Sequence, residues 1–184
     1  MAKIQPYLLN LAGEYRICSE LNKRGVFATV TYGNRKGVDV YAISDKKARA
    51  LRIEVKTSQK NNFVTSLSQK CGDLDPNASG FWERRAADEN SPDFWVLFQI
   101  QVGSDSSFHE RFFVLTHKEI CAAQAARNEA YALKYNDRHG RRPDFSQGID
   151  NVFLTDVEAH EDQWQKIIEA LDGLAADSAD SRKS

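Results

Sequence analysis

No stretch of this 184-residue sequence approaches the roughly 18 consecutive apolar residues that a membrane-spanning helix needs. The only apolar stretch near the N-terminus, Tyr7-Leu8-Leu9 with Leu11-Ala12, is broken by Glu14 and is too short for a secretory core. Cysteine is scarce: Cys18, Cys71 and Cys121 are odd in number and far apart, with no Cys-x-x-Cys pair to clamp zinc. These absences lead us to expect a cytoplasmic protein with reduced thiols. The four histidines, His109, His117, His139 and His160, form no His-Glu-x-x-His or similarly tight ligand pattern, so each is read as structural or surface. Charge of one sign is also missing. With 25 Lys and Arg against 26 Asp and Glu the net charge is -1, which excludes a whole-surface nucleic-acid binder but permits a local basic stripe.

Hydrophobic residues at 41% and charged residues at 28% then argue for an ordinary globular chain rather than a disordered or fibrous one. The length suits one domain, expected over 1–173, and the Ala-, Asp- and Ser-rich residues 174–184 read as a disordered tail. Periodicity predicts a helix over 7–24, with Leu8, Leu11, Tyr15 and Cys18 on its apolar stripe and Gly25 as its stop. Strands follow at 26–32, 38–43 and 51–57, the first two joined by the Gly- and Asn-containing turn at 33–37. The three make an antiparallel meander. Residues 58–92 are polar and turn-rich, with a short helix at Phe81-Trp82. Phe94 to Val102 is almost wholly apolar, as a strand buried on both faces would be, and Phe112 to Leu115 gives a fifth strand. Thr116 with Glu119 makes a capping box for a helix to about 134; residues 151–154 suit a short edge strand, and 158–171 a last helix. Trp82, Trp95 and Trp164 are expected in the core.

The chemistry concentrates in two short runs. In Gly37-Val38-Asp39-Val40 and in Ile53-Glu54-Val55-Lys56, acidic residues interrupt segments that otherwise alternate as buried strands. If Val38, Val40, Ile53 and Val55 point inward, strand alternation places Asp39, Glu54 and Lys56 together on the opposite face. Two carboxylates, with the Val55 carbonyl, form a hard oxygen set of the kind Mg²⁺ or Mn²⁺ prefers. A Glu-x-Lys triplet alone is common: Asp45-Lys46-Lys47 is another acid-x-Lys match, but in a turn. The same residues would also fit a plain edge-strand aspartate beside a solvent-facing Glu–Lys pair.

Helix with Glu14, strand, strand with Asp39, strand with Glu54-x-Lys56: in this order, over about residues 8 to 135, the chain resembles the PD-(D/E)XK nuclease superfamily. The resemblance implies an α/β, restriction-endonuclease-like fold, a central mixed five-stranded sheet flanked by helices. It also implies a metal-dependent nuclease, a Mg²⁺-dependent phosphodiesterase acting on DNA. By residue, Asp39 resembles the first acid of the motif, Glu54 the second and Lys56 its lysine. Glu14 resembles the helix acid of many members, and Gln59 a glutamine near the site in some branches. Val38 stands where the motif has proline. Phosphate contacts are expected from the basic residues Arg35, Lys36, Lys60, Arg138, Arg141 and Arg142, and a homodimer would suit cutting of two strands. The alternative is a catalytically silent module on the same scaffold, binding nucleic acid or a protein partner in a defence or repair complex.

Overall fold

The computed structural model describes residues 5–31, 38–68, 74–105, 107–147 and 150–173. The turn at 33–37 with Arg35 and Lys36, Cys71, and the tail at 174–184 lie outside the described residues.

Helix α1 (Pro6–Lys23) leads into the meander β1 (Phe27–Val30), β2 (Val40–Ser44) and β3 (Arg49–Ser58), antiparallel as the turn signals predict. Then come β4 (Asn62–Val64), α2 (Phe81–Ala86), β5 (Phe94–Val102), β6 (Phe108–Thr116) and α3 (His117–His139). The chain closes with β7 (Asn151–Phe153), α4 (Leu154–Val157) and α5 (Gln165–Asp172). One sheet runs β1-β2-β3-β5-β6, with β3 and β5 parallel and the other neighbours antiparallel. It is a mixed five-stranded α/β sheet with helices on both faces.

Alternation along the strands divides the core in two. Ile53, Val55, Val96 and Phe98 meet Ile17 and Leu21 of α1 and Ile167 and Leu171 of α5. Trp95, Leu97, Phe113 and Leu115 pack on the other face with Ile120 and Cys121 of α3 and with Phe63 and Val152. Strand β5 faces both clusters, which explains its unbroken apolar run. Helix α5 therefore closes the core, with Trp164 ahead of it 3% exposed.

Several expectations need correction. In α1 the stripe Leu8, Leu11 and Tyr15 is exposed, and the helix turns Gly13, Ile17 and Leu21 inward, with Cys18 beside them. The reason is Gly13, where a Cβ would lie 1.9 Å from Thr57 Oγ1; backbone contact there sets which face of the helix meets the sheet. Residues 151–153 do not edge the main sheet but pair with β4 in a separate two-stranded sheet. The supposedly irregular middle thus supplies a strand, and its Phe63 and Leu67 are fully buried. The capping box is present: Thr116 N–H donates to Glu119 at 2.8 Å and Glu119 N–H to Thr116 Oγ1 at 3.2 Å. The helix it starts runs five residues beyond the expected end, to Gly140 in the left-handed region (φ 66°).

Candidate active site

Strands β2 and β3 part company at Asp39. Its N–H donates to the Ile53 carbonyl at 2.9 Å, but the next N–H on that edge of β3, from Val55, is met by Asp39 Oδ2 at 2.7 Å. A side-chain carboxylate thus stands in for the ladder partner a continuing β2 would supply. Because a strand residue turns its N–H and C=O to the same edge, the Val55 carbonyl faces the same opening.

The alternation that buries Ile53 and Val55 on the α1 side sends Glu54 and Lys56 to the other face, beside Trp95, the register partner of Glu54. Glu54 is only 3% exposed, and Lys56 Nζ donates to its Oε1 at 2.6 Å. The ammonium also lies 5.7 Å from the centroid of the Trp95 ring, within cation–π range. Trp95 is itself fixed: its Nε1–H donates to His117 Nδ1 at 3.2 Å, which leaves His117 Nε2–H to donate to the Arg85 carbonyl at 2.9 Å. Burial accordingly pushes the His117 pKa down and keeps the ring neutral. Arg85, 3% exposed, donates from Nε to the Leu67 carbonyl.

Glu14 follows Gly13 on α1, and its carboxyl is raised above the ordinary range by burial first, then by Asp39 and Glu54, with Lys56 opposing. That set of influences puts all four groups within electrostatic reach of one another. The nearby Cys18 thiol is pushed up to about 11 by burial and by Glu14, so it is not a nucleophile near neutral pH.

Glu14, Asp39, Glu54, Val55 and Lys56 therefore gather. Gln59 is half-buried one residue beyond β3. Lys60 is exposed, with its carbonyl accepting from Gln99 Nε2 at 3.1 Å. Arg138, Arg141 and Arg142 belong elsewhere, at the C-terminal end of α3, where Arg142 pairs with Glu129. The competing triplet Asp45–Lys47 forms a single 3₁₀ turn off the strands. The Trp95–His117–Arg85 chain carried no sequence signal beyond its apolar strand and helix start; its members meet only in the folded sheet. Among the described residues no group of three or more His, Cys, Asp or Glu is arranged to hold a metal by itself. A cation here would rest on two carboxylates and a carbonyl, and Mg²⁺ completes such sets with water and substrate phosphate.

No known protein-family model matches the chain, and no curated protein matches it in sequence. In structure it is similar to a bacterial homing endonuclease, with a TM-score of 0.44 and 16% identity over 95% of this chain and 99% of that one.

Proposed function

We propose that this chain is a metal-dependent nuclease of the PD-(D/E)XK kind, hydrolysing phosphodiester bonds of DNA. The observation that carries the reading is the β2–β3 fork. There the Asp39 carboxylate caps the Val55 amide while Glu54 and Lys56 form an ion pair one residue to either side. The donor set is wholly hard oxygen, so Asp39, Glu54 and the Val55 carbonyl would hold Mg²⁺ or Mn²⁺. Bound there, the cation would supply Lewis-acid polarisation of the phosphate and a bound water of lowered pKa.

The chain's own groups do the rest. Asp39 is oriented by the Val55 N–H and so presents its carboxylate without a rotamer search. Lys56, steadied by Glu54 and by the Trp95 ring, donates to a phosphate oxygen and orients the attacking water. Glu14, with its raised pKa, takes up or returns a proton at the edge of the site. The Gln59 amide, just past β3, adds a neutral donor.

The test is cleavage of plasmid and single-stranded DNA with Mg²⁺ or Mn²⁺, with Lys56→Ala and chelated controls. We expect metal-dependent cutting that falls about 100-fold or more in the variant. A folded wild type that cuts neither substrate would overturn the reading in favour of a silent binding module.

A further inference from the structure

The last turns of α3 carry an aromatic ladder that nothing in the carboxylate site uses. Tyr131, Tyr135 and His139 recur at i, i+4 and i+8, with ring centroids 5.8 and 4.2 Å apart. Phe145, on the chain returning from α3, approaches Tyr131 at 6.5 Å. Buried aromatics are the norm, yet Tyr131 is 52% exposed. The ladder borders a cleft of about 730 Å³, a size that admits organic ligands, with Arg127 stacked over Phe153 on its wall at 4.4 Å.

Basic groups outnumber acidic ones on its wall, where Arg127, Arg141 and Arg142 stand against Asp144 and Asp150. Arg141 and Arg142 line the cleft and Arg138 lies on the same turn of α3 as the ladder's end. Among the described residues Arg138 and Arg141 have no carboxylate partner, and Arg141 Nη2 instead reaches the Tyr135 hydroxyl at 3.5 Å. Arg142 pairs with Glu129, but both side chains are more than half exposed, so that pair exchanges readily with solvent or another anion.

We propose that this cleft is a stacking site for unpaired nucleobases of a single-stranded nucleic acid, the rings taking the bases and Arg138, Arg141 and Arg142 the phosphates. Every base has a π-face, so rings with open faces beside guanidinium groups bind single strands with little sequence preference. The proposal rests on the nucleic-acid reading above and assigns the form of strand. The geometry also links the two places. Phe153 pairs with Asn62, only six residues beyond Lys56, a span of at most about 20 Å. Counting the cross-strand step, Lys56 and the Phe153 wall of the cleft therefore lie no more than about 27 Å apart.

The experiment is fluorescence anisotropy of labelled oligothymidylate, oligouridylate and a duplex, each about 20 units long, longer than the roughly 4–16 nucleotides such sites cover. It is run in EDTA, so that no cleavage is involved. Tyr131→Ala and Tyr135→Ala are expected to weaken single-strand binding about tenfold each, with Tyr131→Phe restoring it and duplex binding unchanged. Loss on oligothymidylate alone would assign the site to DNA, and loss on both to either polymer. Unchanged single-strand affinity in the Ala variants, equal loss on duplex, or a wild type that binds no single strand would overturn it. The two readings fail separately. Ladder-dependent binding by a protein that does not cut with Mg²⁺ leaves the cleft and removes the nuclease, and cutting by a protein whose binding ignores Tyr131 does the reverse.

Discussion

Burial, and after it the charges of Asp39 and Glu54, raise the Glu14 carboxyl, against a pull from Lys56 in the other direction. Each of those three charges can be removed without altering α1. An NMR titration of Glu14 should therefore show its pKa falling in Asp39→Asn and rising further in Lys56→Met; no movement in either would separate Glu14 from the site. The sign also fixes a stability effect. A carboxyl whose folded pKa is raised contributes stability below its unfolded value near 4.5 and loses it as pH rises through the folded value. Glu14→Gln should thus be more stable than wild type at neutral pH, in urea denaturation, with the advantage vanishing in acid. Glu20, six residues further along the helix, has the opposite sense. Its burial works to raise the pKa, but hydrogen bonds from Arg24, Lys23 and Arg16 outweigh it and bring the carboxyl to about 2. Its contribution is present above about pH 4.5 and is lost as pH falls toward 2, so Glu20→Gln should flatten the acid limb of the stability curve.

At the scale of elements, the contact between α1 and β3 decides whether Glu14 reaches the site at all. In Gly13→Ala the new Cβ would meet Thr57 Oγ1 at 1.9 Å and Thr57 Cβ at 3.1 Å. Threonine is stiff at χ1 and cannot swing far aside. We expect Gly13→Ala to cost about 1–3 kcal/mol in chemical denaturation, as overpacking does, with Thr57→Ala in the same chain recovering part of it. A neutral Gly13→Ala would mean the helix does not sit this close. The same contact explains what the sequence could and could not disclose. Alternation around Glu54 and Lys56 was legible because strand period is a local property, as was the double burial of β5 and the capping box at Thr116; it did not place Asp39, which precedes the first residue of β2. The inward face of α1 was not, since counting apolar side chains gives no weight to a glycine. Nor were β4 and β7, three residues each, whose Asn62 and Asn151 meet across 89 positions of chain. The Trp95–His117–Arg85 chain was hidden for the same reason: it joins a strand, a helix start and a loop-borne helix that are neighbours only in space.

For the molecule as a whole, the sheet is two antiparallel units, β1-β2-β3 and β5-β6, joined along the single parallel pairing of β3 with β5. Each unit pairs strands separated by fewer than ten residues of chain, whereas the joint must wait for residues 59–93 to be gathered between its strands. Non-local pairing of that kind is slow, because loop-closure entropy is lost before any contact repays it. The Val55 amide faces β2, so the amides of Lys56 and Ser58 face the joint. In pulse-labelling hydrogen exchange during refolding those two amides should become protected after the amides that cross between β5 and β6; simultaneous protection would contradict a late joint. Lys56 enters from one unit and its Trp95 support from the other. A nascent chain whose ribosome has not yet released β5 therefore holds its acids and its lysine without the ring that steadies them, and the time at which the proposed site is complete is set by sheet closure, not by synthesis of its carboxylates and lysine.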